Sequence, residues 1–301
     1  MITLLLIVLL VSYLAYRKAF YSSLHRKENI RSIPNSEQYA KGKPIMLELI
    51  DEMEKIPFEE VRIKSFDGLT LYGRYYHVKE GAPVQIQFHG YRGTAIRDFC
   101  GGNKLAREMG QNTLVIDQRA HGKSEGKTIC FGIKEKYDCL AWAKYAAKRF
   151  EGVPIVLSGV SMGGATVLMA SELDLPQSVK CIVADCPYSS PEEIIGQECG
   201  KMGIPAKLGM PFVKLGAGIF GNLKIRGGAE EAVKNAKVPI LILHGEADRF
   251  VPCDMSRKIK AANPKMVTLE TFKDAAHGIS YIMEPERYGK ITAEFFENCG
   301  I

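Results

Sequence analysis

The chain has 301 residues, 46% of them apolar and 25% charged, with a formal net charge of +6. That length suits one large α/β domain and leaves little room for two. Seven basic and two acidic side chains fall within residues 1–43, so the remainder is nearly neutral and lacks the basic stripe expected of a nucleic-acid reader.

Residues 2–16 are an uncharged apolar run closed by Arg17 and Lys18. A cleaved signal peptide would carry basic residues before such a run and a small-x-small site after it. Neither occurs. A buried helix is the alternative, and the expectation is an uncleaved membrane anchor over 1–21. The basic cluster behind it places the body in the cytoplasm by the positive-inside rule, near anionic head groups. Eight scattered cysteines without a C-x-x-C pair suit a reducing compartment, although an even count leaves disulfides open.

Residues 22–58 hold Pro34, Pro44 and Pro57 and read as a linker with a short helix over 45–55. A hairpin follows, with strands at 61–64 and 69–78 around Phe66-Asp67-Gly68. The chain then alternates. Strands are predicted at 84–88, 113–116, 155–157, 181–184, 240–243 and 266–271. Helices are predicted at 99–109, 133–150, 162–173, 255–262 and 285–298, with Tyr137, Leu140, Ala141 and Tyr145 on one face of the second. Short apolar strands alternating with helices specify a doubly wound, mostly parallel sheet covered on both faces. Residues 187–237 carry no strand pattern. Fifty such residues imply an insertion with its own helices, a cap within a domain spanning 59–301.

The chemistry centres on Gly159-Val160-Ser161-Met162-Gly163, placed between a strand and a helix. A sharp turn there lifts the serine above the sheet's carboxyl edge, and the flanking glycines remove the Cβ atoms that would collide. The helix N-terminus directs free N–H groups at the same spot. Such a serine needs a base. Among six histidines, His25 lies in the linker and His77 in the hairpin; His89 and His244 end buried strands. His277 follows the last strand, in a loop opening on the serine's edge of the sheet. Asp248, five residues past a buried strand, is the expected partner of His277; Glu246 is its rival, and Asp274 is too close to the histidine along the chain. The order Ser161, Asp248, His277 is the one an α/β-hydrolase site requires.

Five segments then resemble the α/β-hydrolase superfamily, in its serine-aminopeptidase-like and acyl-esterase branch: F-H-G-Y-R-G at 88–93, D-Q-R-A-H-G-K-S at 117–124, G-V-S-M-G-G at 159–164, H-G-E-A-D-R-F-V-P at 244–252 and A-H-G at 276–278. The resemblance spans residues 60–298. It implies an oxyanion hole formed by the backbone N–H groups of Tyr91 and Met162. In the second motif Ala120-His121 stands where the family usually has Gly-x; that loop shapes the pocket rim in the family, so His121 is either a substrate contact or a surface residue, and the surface is expected.

The function expected is a serine hydrolase acting on a small-molecule ester or thioester with an acyl chain, near a membrane. No cofactor and no metal are implied, since no H-E-x-x-H or paired Cys and His at ligand spacing occurs. An aminopeptidase using the same three residues is the alternative, with Glu192, Glu193 or Glu198 to hold an ammonium group. A non-catalytic, membrane-bound binding module is the third. Met202, Leu208, Met210, Phe212, Val213, Leu215, Ile219 and Phe220 either line an acyl pocket or pack the cap onto the body.

Overall fold

A computed structural model describes residues 2–22 and 29–301; His25, Arg26 and Lys27 lie outside the described residues. The strands are β1 Glu59–Lys64, β2 Thr70–Tyr76, β3 Val84–Phe88, β4 Asn112–Asp117, β5 Ile155–Val160, β6 Val179–Asp185, β7 Ile240–Gly245 and β8 Val267–Phe272. The helices are α1 Ile2–Ala19, α2 Gly42–Glu54, α3 Ala95–Glu108, α4 Glu135–Arg149, α5 Met162–Ala170, α6 Pro191–Lys201, α7 Ala206–Gly221, α8 Ala229–Ala232, α9 Cys253–Ala262, α10 Ser280–Met283 and α11 Pro285–Asn298.

The strands form one sheet in the order β1-β2-β4-β3-β5-β6-β7-β8. β1 and β2 pair antiparallel, β2 meets β4 antiparallel, and the remaining ladders are parallel. β3, β4, β5 and β7 are buried along nearly their whole length, as a sheet covered on both faces demands. One face packs Trp142, Leu168 and Ile259 of α4, α5 and α9. The other packs Ile50 and Phe99 of α2 and α3, and Phe296 of α11.

Along α4, Cys139, Trp142, Ala143 and Ala146 are buried, whereas Tyr137 is 39% exposed and stacks on Phe66. Gly73 of β2 decides this. A Cβ there would lie 3.1 Å from the Trp142 ring, so the glycine makes room for the indole.

Residues 29–58 pack on the body, burying Ile33, Tyr39, Met46, Ile50 and Met53 beside α3. The insertion forms α6, α7 and α8. Its apolar residues divide: Met210 and Val213 are buried with Met162, Tyr188 and Phe131, Leu208 and Ile219 face outward, and the half-exposed Phe220 packs on Tyr13 and Tyr16 of α1. α1 packs mainly against α7. Gly216 permits the approach, because any side chain there would strike the Ser12 carbonyl oxygen. The first third of α1, from Ile2 to Ile7, is exposed.

Candidate active site

Ser161 sits between the last residue of β5 and the first of α5, with φ 56° and ψ −115°. A non-glycine residue at positive φ is strained by about 1–3 kcal/mol and needs strong local packing to persist. Glycines on both sides supply it. A Cβ at Gly163 would fall on the Phe88 carbonyl oxygen, and one at Gly159 on the Gly163 backbone. The Ser161 N–H donates to Asp185 O at 2.8 Å, tying the turn to the neighbouring strand.

Asp248 and His277 follow β7 and β8 at the same carboxyl edge. His277 Nδ1 donates to Asp248 Oδ2 at 2.6 Å, which leaves Nε2 free to accept a proton. The other carboxylate oxygen, Oδ1, accepts from Phe250 N and Val251 N at 2.8 and 2.9 Å, so the aspartate is oriented by its own turn. Burial raises the Asp248 pKa, but His277 and His244 overcome it and hold the carboxyl well below the usual range. Burial likewise lowers the His277 pKa, and the charge and hydrogen bond of Asp248 reverse this, leaving the imidazole above its ordinary value. The loop is braced from outside, where Tyr39 OH donates to His277 O at 2.9 Å. Glu246 bonds Thr271 Oγ1 instead and takes no part.

Ser161 Oγ makes no hydrogen bond among the described residues. His277 Nε2 faces Cys186 Sγ at 4.0 Å, and the Ser161 N–H also bears on that sulfur. Ser161 and His277 therefore flank the same buried thiol. The hydroxyl-to-imidazole link is the one contact of the set not made here, and such bonds commonly tighten only around bound substrate.

Residues 90–93 form a turn in which three N–H groups are engaged. Gly90 N donates to Asp98 Oδ2 at 2.8 Å, Arg92 N to His121 Nε2 at 3.0 Å, and Gly93 N to Gly90 O at 3.0 Å. Tyr91 N–H alone has no acceptor among the described residues. Met162 N–H, the first of α5, is likewise unpartnered, as helix geometry requires. A Cβ at Gly90 would lie 3.7 Å from Ser161 Oγ, so this turn stands directly over the serine.

His121 is buried rather than exposed, contrary to the sequence-based expectation. Its Nδ1 donates to Arg119 O at 2.9 Å, so Nε2 is the acceptor for Arg92. Burial, then His89 at 4.7 Å between ring centroids, pushes its pKa down to about 3 and keeps it neutral. The loop carrying it is fixed by Arg119, which forms two bonds of 2.6 Å to Asp138 and reaches Asp67 at 3.0 Å. His89 and His244 are backbone-bonded core residues: His89 Nδ1 donates to Gly90 O, and His244 Nε2 to Val251 O.

Sequence reasoning missed Asp98, Tyr39 and Cys186, and misplaced His121. Only His121 lay in a motif; Asp98 acts eight residues from Gly90 but outside any motif, and Tyr39 and Cys186 act across 238 and 91 residues without a local signal. Cys186, Asp248 and His277 bring potential ligand atoms within 4.8 Å of one another. Burial drives the Cys186 thiol well above its usual range, whereas a metal ligand must give up its proton. Nδ1 of His277 is already committed to Asp248. A cavity of about 60 Å³ is lined by Asp98, Val160, Asp185, Gly278 and Tyr288. Burial pushes the Asp185 carboxyl up to about 6.

Residues 86–209 match a family model described as the alpha/beta hydrolase fold. Among curated proteins, the chain is similar to the uncharacterized protein YqkD of Bacillus subtilis (strain 168), 25% identical over 264 residues, which is 84% of this chain and 83% of that one. It is also similar to the lysophosphatidylserine lipase ABHD12 of Danio rerio, 27% identical over 185 residues, 59% of this chain and 46% of the lipase. The match thus spans less than half of that relative. Among solved structures it resembles the Pyrococcus furiosus esterase Pf2001, with a TM-score of 0.67 and 24% identity over 82% of this chain and 93% of the esterase.

Proposed function

We propose that this chain, which has the α/β-hydrolase fold, is a serine hydrolase cleaving a carboxyl ester or thioester of an acyl-chain substrate through an acyl-enzyme on Ser161. One observation carries this reading: a strained Ser161 stands between two unpartnered N–H groups, at the edge where Asp248 orients His277. His277 Nε2 takes the Ser161 proton as Oγ attacks the acyl carbonyl. Asp248 holds the imidazole in the correct tautomer and stabilises the cation that forms. Tyr91 N–H and Met162 N–H receive the oxyanion; a donor of this kind is worth about 3 kcal/mol in related chemistry. His277 then protonates the leaving group and activates the water that releases the acyl product.

Two further features support an acyl-chain substrate at a bilayer. α1 is an 18-residue apolar helix, largely exposed, ending in Arg17 and Lys18. It serves here as a membrane anchor with the body on the cytoplasmic side. The relative ABHD12 is a lysophosphatidylserine lipase by name, which favours a lipid ester. The aminopeptidase alternative is weakened by the cap's acidic residues. Glu192 pairs with Lys214 at 2.7 Å, Glu193 with Lys258 at 2.6 Å and Glu198 with Lys201 at 2.7 Å, so each already faces a lysine.

The test is covalent labelling by a fluorophosphonate probe in wild type and Ser161→Ala, followed by hydrolysis of p-nitrophenyl esters of graded chain length. Labelling lost in the variant, with turnover rising on longer acyl groups, is the expected result. Turnover of amino-acyl amides alone rejects the ester reading, and an unlabelled wild type rejects the serine hydrolase.

A further inference from the structure

We propose that the end of the N-terminal helix is a positioning element of the catalytic site, because its carbonyl groups hold the two residues that aim the free N–H of the oxyanion turn. This rests on the reading that Tyr91 N–H receives the oxyanion.

The last carbonyls of a helix have no intrahelical donor. At the end of α1 the donors come from the 90–93 turn. Tyr91 OH donates to Ala19 O at 2.8 Å. Arg92 Nη2 donates to Lys18 O at 2.8 Å and reaches Tyr21 O at 3.4 Å. The Tyr91 ring packs on Phe131 at 5.0 Å, and Phe131 packs on the buried Phe20 at 5.5 Å. The chain beyond α1 is itself tied down: Ser22 N donates to Lys127 O, Ile129 N to Phe20 O, and Tyr16 OH meets Thr128 Oγ1, all at 2.8 Å. The helix end is therefore a built part of the domain.

Backbone geometry explains why the turn needs this support. Arg92 has φ 50°, the left-handed region, without being glycine. Such a residue persists only where its surroundings over-determine it. Here His121 holds its N–H from inside and the α1 carbonyls hold its guanidinium from outside. Releasing the outer hold lets the 91–92 peptide relax, and the Tyr91 N–H moves away from Ser161.

The test uses the full chain in detergent micelles with p-nitrophenyl butyrate. Tyr91→Phe keeps the ring on Phe131 and deletes only the bond to Ala19. Arg92→Gly suits the positive φ, so the fold is not weakened, yet it deletes both guanidinium bonds. Each should lower kcat by about tenfold, with KM changed less than about twofold, since small displacements of a reacting group carry costs of this order or more. Inhibition by an alkyl trifluoromethyl ketone, whose tetrahedral adduct places an oxyanion in the hole, should weaken by the same factor. Arg92→Lys should recover part of the loss. The melting temperature of Arg92→Gly should not fall. Unchanged kcat in both variants, or a change confined to KM, overturns the proposal while leaving the serine-hydrolase reading standing. A wild type that no fluorophosphonate labels removes both.

Discussion

His277 Nδ1 lies 2.6 Å from Asp248 Oδ2, with the carboxylate side chain fully buried and the imidazole 16% exposed. This pair raises the imidazole pKa, and only the neutral ring can take the Ser161 proton. Activity should therefore rise with pH through a midpoint above the ordinary histidine value of about 6.5. In Asp248→Asn the burial remains and the charge is gone, so the midpoint moves below that value. The rate should fall about 10³- to 10⁴-fold as the tautomer is lost. The check is kcat/KM from pH 5 to 9; a wild-type midpoint at or below 6.5 contradicts the assignment.

Gly163 and Gly164 are adjacent but unequal. A methyl group on Gly163 would strike the Phe88 carbonyl, whereas one on Gly164 would meet Asp185 O at 3.1 Å and Pro187 Cβ at 3.3 Å. Gly163→Ala should cost more than about 3 kcal/mol or prevent soluble expression, and Gly164→Ala should cost about 1–2 kcal/mol, as overpacking generally does. Urea unfolding of both variants decides it. Equal losses would mean that the turn is not packed as described.

His121 and His89 are both buried, and burial holds both below the ordinary histidine pKa, His121 at about 3. The unfolded chain therefore binds more protons than the folded one between pH 6.5 and about 3. The His121 contribution to stability is complete above pH 6.5 and is lost as pH falls through that window, at up to ~1.4 kcal/mol per pH unit, and His89 adds a loss of the same sign below pH 6.5. His121→Asn should flatten the decline measured by denaturant unfolding at pH 7 and pH 5. An unchanged slope would place the titration elsewhere.

Cys186 lies 4.0 Å from His277 Nε2, a spacing that invites comparison with a thiol nucleophile. Burial, followed by the charges of Asp185 and Asp248, raises its pKa well above the usual thiol range. Iodoacetamide at neutral pH should leave ester hydrolysis intact in the folded protein, while a fluorophosphonate abolishes it. Rapid inactivation mapped to Cys186 by peptide mass would reassign the nucleophile.

Much of the arrangement was legible because it is local. The alternation of strands and helices follows from short apolar runs and their punctuation, and α11 begins and ends at the residues predicted, Pro285 and Asn298. G-V-S-M-G-G carries part of its geometry in itself, since the close approach of Gly159 to the Gly163 backbone is between residues four apart. Asp248 and His277 could be selected because chain order places their loops on one edge of a parallel sheet.

The sequence by itself determined the element types, the sheet class and the edge at which Ser161, Asp248 and His277 gather, since each follows from periodicity or from the fixed direction of βα units. Tertiary structure alone decided which face of α4 turns inward, because that depends on the gap opposite Trp142 at Gly73. It alone made His121 an internal acceptor, and it alone joined Ala19 to Tyr91 and Tyr39 to His277. Those contacts link residues tens to hundreds of positions apart, and a bond of that kind leaves no periodic trace in either partner's neighbourhood.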